Sequence, residues 1–501
     1  MDETKRNKRN LILFPLGTVG RDMVYSLVTN FLLTFVLFTR ELTAGQLSAI
    51  TAIMVGARLF DALNDPIMGN IIERTRTKYG KFKPWILAGM LSTSLVIYAA
   101  FNVKLQGWKF VWFFGLIYFL FSITYTMGDI SYWGMIPSLS SDGDTRNTFT
   151  ARTTLFAGIG GTAASILIPL LTTGAGALGG STTIAFGRIA LAIAILCPLF
   201  LLFVLFGVKE DRSYNAEPVP PVSFKKIWGT ITGNDQLLWI ALIFLIHEIS
   251  NAIVISGVGS TYIYFEFGYE GGLYSLFTTI GMSVTALLMI FYPAISRKVP
   301  RKKFMWTLLK ISIAGYIVMF LAGVILRAGT VMLGGMDLKF LLVTIGYMVA
   351  NFGQYGYYLI LMISIINTVE YNEYIHGTRD ESIITSMRPF LTKLASALTV
   401  VITSVTYMLI GVTQYTKEIS DLENQAAAKL ITEADKLATI SDLLRNVTHS
   451  QALALLLVMI VLPLALMALS YVLYVRHYDL DEPAYDHICA ELKARREAKG
   501  A

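Results

Sequence analysis

Residues 184–208 read IAFGRIALAIAILCPLFLLFVLFGV, a stretch in which Arg188 is the only charged side chain. About 20 apolar residues in a helix are enough to cross the hydrocarbon core of a bilayer. Runs of this kind recur at 11–38, 45–72, 84–103, 109–137, 151–173, 184–208, 236–265, 271–293, 304–327, 338–369, 383–412 and 449–475. The sequence therefore predicts an all-α membrane protein with twelve transmembrane helices.

The composition of the 501 residues excludes an ordinary soluble enzyme. Hydrophobic residues make up 54% and charged residues only 15%, whereas a soluble domain carries about 25% charged residues. The two cysteines, Cys197 in an apolar run and Cys489 in the polar tail, do not indicate a disulfide framework or a metal cluster. The chain has no G-x-S-x-G, Walker or H-E-x-x-H pattern. We expect no enzyme activity and no cofactor, and energy supplied by an ion gradient.

Positive charges occur in short clusters between the apolar runs, and the net charge is +7. The clusters follow the second, sixth, eighth and twelfth runs: Arg74, Arg76, Lys78, Lys81 and Lys83; Lys209, Arg212, Lys225 and Lys226; Arg297, Lys298, Arg301, Lys302 and Lys303; Lys493, Arg495, Arg496 and Lys499. Short loops that keep Lys and Arg lie on the cytoplasmic side. These clusters indicate topology rather than a nucleic-acid partner, and they predict a multi-pass cell-membrane protein with both termini cytoplasmic.

A proline-rich segment divides the runs into six and six. Three prolines occur within residues 217–222, which suits a linker. The predicted parts are an amino-terminal bundle (1–208), a cytoplasmic linker (209–235), a carboxy-terminal bundle (236–475) and a cytoplasmic tail (476–501). Two six-helix halves are the plan of the major facilitator architecture. The polar segment 413–448 is predicted to be an external helix or cap, with a role in substrate gating as the alternative.

Acidic side chains inside the apolar runs mark the candidate site, because each costs about 2.5 to 3.5 kcal/mol at the bilayer centre. Asp61 and Asp65 are one helical turn apart and share a face with Asn64. Two carboxylates this close favour a bound cation or proton, and Asp129 with Thr126 adds oxygens from another helix. Asp61 and Asp65 are therefore predicted to bind a metal cation. The alternative is that they form structural ion pairs with Arg58, Arg152 or Lys393.

Aromatic side chains lie among the acids of the fourth run. Tyr125 and Trp133 flank Asp129, and an indole suits the apolar face of a sugar ring while carboxylates accept its hydroxyls. The alternative is an interfacial aromatic belt.

Several motifs resemble those of the glycoside-pentoside-hexuronide:cation symporters, and the resemblance extends over essentially the whole chain. The motifs are Gly20-Arg21-Asp22, residues 58–69 (RLFDALNDPIMG), residues 125–130 (YTMGDI) with Trp133 and Pro137, Thr368-Val369-Glu370-Tyr371, and residues 379–383 (RDESI) with Lys393. The resemblance implies a cation site of Asp61, Asn64, Asp65 and Thr126. It also implies a sugar site of Asp22, Tyr125, Asp129, Trp133 and Arg152, with Lys393 close to both.

These observations predict a secondary active symporter of the major facilitator superfamily that carries a sugar or glycoside with a cation. Na⁺ is the expected cation because the cluster supplies several oxygens, with H⁺ or Li⁺ as alternatives. We expect a sugar, a cation and the lipid bilayer as partners, no nucleic acid, and a monomer. A facilitator or exchanger of another amphiphilic solute, and a ligand sensor that does not transport, are the alternative functions. The identity of the sugar stays open.

Overall fold

The computed structural model describes residues 3–140, 143–209, 224–296, 298–378 and 380–500. Most of the predicted linker, including its prolines, lies outside the described residues, as do Arg212, Arg297 and Arg379. The described part of the chain is almost entirely helical, with seventeen α-helices and one two-stranded sheet.

The helices are numbered in chain order. The first six are α1 (Glu3–Thr39), α2 (Ala44–Arg74), α3 (Lys83–Asn102), α4 (Gly107–Gly134), α5 (Gly143–Thr172) and α6 (Thr182–Leu202). The next seven are α7 (Phe224–Gly233), α8 (Asp235–Ala252), α9 (Gly259–Phe267), α10 (Gly271–Ser296), α11 (Arg301–Ile325), α12 (Leu338–His376) and α13 (Glu381–Ile410). The last four are α14 (Thr413–Ala427), α15 (Glu433–Arg445), α16 (His449–His477) and α17 (Glu482–Gly500).

Shorter elements complete the chain. They are 3₁₀ turns at Ile136–Ser138 and Gly174–Gly176, π-helical turns at Phe203–Gly207 and Ile253–Val258, and the antiparallel strands β1 (Met332–Leu333) and β2 (Met336–Asp337).

Eleven of the twelve predicted runs each form one long helix and the seventh forms a broken one, which confirms the predicted fold class. Ten helical segments of the described residues are long and apolar enough to span a membrane. The 31-residue α2 and the 26-residue α10 correspond to the other two predicted runs. The seventh run differs from the prediction of one continuous helix, because it forms α8, a π-helical turn and α9, with non-helical backbone angles at Gly257.

Two compact units make up the fold. The first comprises Met1–Pro221, Gly268–Ser275 and Tyr407–Val447, and the second comprises Val222–Phe267, Leu276–Thr406 and Thr448–Ala501. Residues 407–447 thus group with the first unit, although in sequence they begin at the end of the eleventh run. The predicted division into a 1–208 bundle and a 236–475 bundle stays a prediction.

Close helix packing in the first unit positions the residues of the predicted site. Helix α1 packs on α5 and α6, and α4 packs on α2 and α3. A side chain at Gly89 of α3 would collide with the backbone of Gly128 on α4. The absence of a Cβ at Gly89 therefore lets the two helices approach each other next to Asp129.

The second unit has a hydrophobic core of its own. Its buried side chains come mainly from α8, α11, α12 and α16, for example Phe244, Leu308, Tyr357 and Met467. Helix α17 is attached to this core by Glu482, which accepts hydrogen bonds from the backbone and the side chain of Arg301 at 2.7 and 3.1 Å.

Helix α7 is attached to the loop after α12 by Asp380. Lys226 of α7 forms an ion pair with its carboxylate at 2.7 Å, and Thr230 and Thr378 donate hydrogen bonds to it. Burial opposes ionisation, but these hydrogen bonds and the charge of Lys226 outweigh it and hold the pKa of Asp380 below its ordinary value.

The predicted external segment forms a hairpin of α14 and α15 that packs within the first unit. The core of this contact is the ion pair of Glu423 and Lys436 (3.1 Å), in which both side chains are fully buried. The backbone N–H of Thr182 donates to Glu423 at 2.7 Å, and Lys436 donates to the carbonyl of Gly180 at 2.8 Å. The segment is thus a docked pair of helices, held to the turn before α6.

Candidate functional site

Two acidic clusters lie in the first unit, and the first of them is centred on Arg21. This guanidinium is 2% exposed and reaches acids on two helices: Asp22 on α1 and Asp129 on α4, each at 2.7 Å. The two carboxylates remain 19% and 32% exposed. The structure thus brings the two predicted sugar-binding acids together through a buried base, and both acids keep an accessible edge.

Aromatic rings surround this cluster. The Arg21 guanidinium carbon lies 5.0 Å from the ring centre of Tyr132 and 5.1 Å from that of Trp133, close enough for cation–π attraction. Tyr125 is buried and packs between Tyr25 and Phe121, with ring centres 5.7 and 5.4 Å away. Tyr125 and Trp133 thus make contacts inside the first unit, which an interfacial aromatic belt does not explain.

The second cluster joins α2 to α4. Asp61 accepts a hydrogen bond from the hydroxyl of Ser122, and Asp65 accepts one from Thr126 at 3.0 Å. Asn64, between the two acids, is buried, and its side-chain nitrogen has no hydrogen-bond partner within the described residues. Asp61, Asp65 and Thr126 therefore lie where α2 contacts α4, and Asn64 is buried on α2 next to Asp65.

Arg58 adds a base to the second cluster. Its guanidinium lies 3.4 Å from the other oxygen of Asp61, and both side chains are buried. This is one of the ion pairs expected under the structural alternative.

No group of three or more His, Cys, Asp or Glu side chains suited to a metal ion occurs in the described ranges. A cation in the second cluster would therefore be bound by two carboxylates together with neutral hydroxyl and amide oxygens. Na⁺ and Li⁺ accept such oxygen ligands, by analogy with other hard cations.

The two predicted basic residues are placed differently. Arg152 is exposed, and its guanidinium donates to the backbone carbonyl of Leu11 on α1 at 3.3 Å, so the hydrogen bond described for it goes to α1 and not to a carboxylate. Lys393 lies on α13 in the second unit. Its closeness to the acids of the first unit stays a prediction.

Ser122 is the residue of the second cluster that sequence reasoning missed. The signal for it was present: Ser122 precedes Thr126 by one helical turn, just as Asp61 precedes Asp65. Sequence reasoning did not assign a partner to Asp129 either, and the structure shows that Arg21 pairs with both Asp22 and Asp129.

Comparisons with known proteins bear on the family and on the fold. Residues 13–482 match the family model described as "MFS/sugar transport protein". The chain is 28% identical to the lactose permease of Lactobacillus helveticus, over 96% of this chain and 71% of that protein. It is 26% identical to the raffinose carrier protein of Pediococcus pentosaceus, over 85% of this chain and 65% of that protein. Its fold is similar to the crystal structure of a D-xylose-proton symporter, with a TM-score of 0.59, 9% identity, and coverage of 89% of this chain and 99% of that one.

Proposed function

This chain belongs to the MFS/sugar transport protein family, and from that premise we propose that it carries a sugar or glycoside across the cell membrane together with a cation. The observation that carries the proposal is the sharing of one helix by two acidic clusters. Helix α4 supplies Thr126 to the cluster of Asp65 and, less than one turn later, Asp129 to the cluster of Asp22. A movement of α4 caused by one ligand would therefore change the geometry of the other ligand's site.

The cation binds among Asp61, Asn64, Asp65 and Thr126. The carboxylates supply negative charge, and the amide and the hydroxyl supply neutral oxygens. Na⁺ is the proposed cation because a proton needs only one acceptor, whereas a metal ion needs several oxygens around it. H⁺ and Li⁺ are the alternatives, and uptake measured under different ion gradients separates them.

The sugar binds at Asp22 and Asp129, whose accessible oxygens accept its hydroxyls. Trp133 covers the apolar face of the sugar ring, and the buried side chain of Tyr125 forms part of the wall of the sugar site. Arg152 and Lys393 complete the sugar site, which requires Arg152 to exchange its bond to Leu11 for one to the substrate. The relatives named lactose permease and raffinose carrier support a saccharide as the substrate class.

Transport proceeds by alternating access of the two halves around the bound solutes. Cation binding raises sugar affinity by a reciprocal coupling of about 1 to 3 kcal/mol. The basic loops indicate that both termini lie in the cytoplasm. The protein is proposed to work as a monomer.

Concentrative uptake into vesicles tests the proposal. Purified protein is reconstituted, and uptake of radiolabelled glycosides, pentosides and hexuronides is measured with an inward Na⁺ gradient, with a proton gradient and with no gradient. We expect accumulation above the external concentration only with a cation gradient. Equilibration without accumulation would indicate a facilitator or exchanger, and binding without flux would indicate a sensor.

A further inference from the structure

One charged side chain lies on the surface of a spanning helix and has no role in the proposed transport. Helix α11 is long and apolar enough to cross a membrane, and Lys310 lies nine residues after its first residue, Arg301, which is about 13 Å along the helix axis. Lys310 is exposed, whereas ionisable residues within membrane spans almost always face the protein interior. A lysine in this position needs a partner from outside the chain.

The face of α11 that carries Lys310 continues as an apolar surface. Ile317 and Leu321 are 50% and 46% exposed. They follow Lys310 by about two and three helical turns, so the three side chains lie on one face of the helix. Leu308, on another face of α11, lies in the core of the second unit. In a membrane the exposed apolar face is covered by acyl chains, so Lys310 lies among lipids.

A tryptophan, a second lysine and a tyrosine accompany Lys310. Side chains of a helix lean toward its amino-terminal end, and Lys310 reaches back over Trp306, with Nζ 5.8 Å from the ring centre. Trp306 is 44% exposed and packs against Tyr471 of α16, with ring centres 5.3 Å apart. Lys303, two turns before Lys310 on the same face, is also exposed. Neither lysine forms an ion pair with a residue that the structure describes.

We propose that Lys303, Trp306, Lys310 and Tyr471, here called the α11 patch, bind the headgroup of one anionic phospholipid such as phosphatidylglycerol. The two ammonium groups attract the lipid phosphate, and the indole N–H of Trp306 is a further donor at the membrane–water interface. The acyl chains then lie along Ile317. This end of α11 is the cytoplasmic end in the proposed orientation. The site goes beyond the proposed function and does not depend on transport activity.

The net charge of the headgroup decides which lipid is favoured. A zwitterionic lipid such as phosphatidylcholine carries its own ammonium group, which the two lysines repel. An anionic lipid brings a negative charge that no other group cancels. The α11 patch should therefore select lipids by charge, which a plain apolar contact with the bilayer does not.

Binding of phosphatidylglycerol to purified protein is measured by native mass spectrometry, with phosphatidylcholine as the zwitterionic comparison. The variants are Lys310→Gln and the double variant Lys303→Gln/Lys310→Gln, which remove charge and keep most of the side-chain length. Lys417→Gln is the matched control, because Lys417 is an exposed lysine of α14, outside the predicted membrane runs. The melting temperature in phosphatidylcholine checks that each variant is folded.

We expect phosphatidylglycerol affinity to fall roughly fivefold in Lys310→Gln and roughly 25-fold in the double variant, because each lysine near an anionic surface contributes about a factor of five. Lys417→Gln should bind like wild type. Unchanged phosphatidylglycerol affinity in the double variant would overturn the proposal, and so would an equal loss in Lys417→Gln.

Fluorescence quenching in lipid nanodiscs tests where the lipid binds. The contribution of Trp306 is obtained as the difference between wild type and Trp306→Phe. Phosphatidylglycerol with brominated chains should quench it more strongly than the same fraction of brominated phosphatidylcholine, and the double variant should lose this preference. Equal quenching by the two lipids in wild type would indicate ordinary lipid contact and overturn the site. Displacement of the lipid by millimolar inorganic phosphate would indicate a site for a soluble anion instead.

Discussion

Removal of the Asp22 carboxylate tests the sugar site most directly. Within the described residues, the hydrogen bonds to this carboxylate all end on Oδ2: from Thr18 at 2.5 Å and from Arg21 at 2.7 and 3.1 Å. The other oxygen, Oδ1, is therefore available to a sugar hydroxyl. A hydrogen bond to a charged group contributes about 1.5–3 kcal/mol, and each 1.4 kcal/mol is about tenfold in Kd. We expect Asp22→Ala to weaken sugar binding by roughly 10- to 150-fold.

The structure also predicts what Asp22→Ala should leave intact. Arg21 keeps its ion pair with Asp129 at 2.7 Å, so its charge stays compensated, and the cation cluster is formed by other residues. Calorimetry on the purified variant should therefore show Na⁺ binding like that of wild type and weakened sugar binding. Asp22→Asn, which retains one acceptor oxygen, should lose less. Unchanged sugar affinity in Asp22→Ala would refute the assignment, and loss of both ligands in a folded protein would make Asp22 a shared or structural residue.

Three further predictions address the cation site and the connections of the fold. Asp61→Asn or Asp65→Asn should abolish cation-driven accumulation in vesicles, because an amide removes the negative charge; wild-type accumulation in both variants would contradict the cation site. Glu423→Gln should lower the free energy of unfolding by about 3–5 kcal/mol, because it leaves a buried lysine without a counter-charge. Asp442→Asn is the control; it breaks an exposed pair and should lower the free energy of unfolding by about 1 kcal/mol or less. Equal melting temperatures for the two variants would show that the buried pair does not hold the hairpin. Asp380→Asn should lower thermal stability near neutral pH, and the difference from wild type should shrink as the pH falls from about 4 through the lowered pKa of Asp380, because a carboxylate with a lowered pKa stabilises the fold only while it is ionised. A difference that is the same at pH 2 as at pH 7 would exclude ionisation as the cause.

The sequence was sufficient to predict the twelve long helices, because a membrane span must be apolar over nearly its whole length. The family match over residues 13–482 also confirms the resemblance inferred from the motifs. The break of the seventh run at Gly257 was not predicted. Glycine occurs within membrane helices as well as at breaks, so Gly257 by itself does not predict a break. Its non-helical backbone angles depend on packing that the local sequence does not specify.

Residue pairs far apart in sequence were the hardest to predict. Residues 425–430 (QAAAKL) favour helix by their composition. The structure agrees only as far as Ala427, where α14 ends, and Lys429 has a positive φ of 59°. Nothing near Glu423 in sequence indicates that it binds the backbone of Thr182. The i and i+4 spacing of Asp61 and Asp65 was visible, but its match to Ser122 and Thr126 requires the register of α2 against α4.

The docked hairpin of α14 and α15 also has a practical use in imaging. A membrane protein of this size has little mass outside its detergent belt, and particles without such mass are hard to orient in electron cryomicroscopy. The connection between the two helices is a surface loop in which Leu430 is 75% exposed, and such loop tips tolerate insertions. Since the buried pair of Glu423 and Lys436 holds both helices in place, an epitope inserted after Leu430 would give a bound antibody fragment a fixed orientation and serve as an alignment marker.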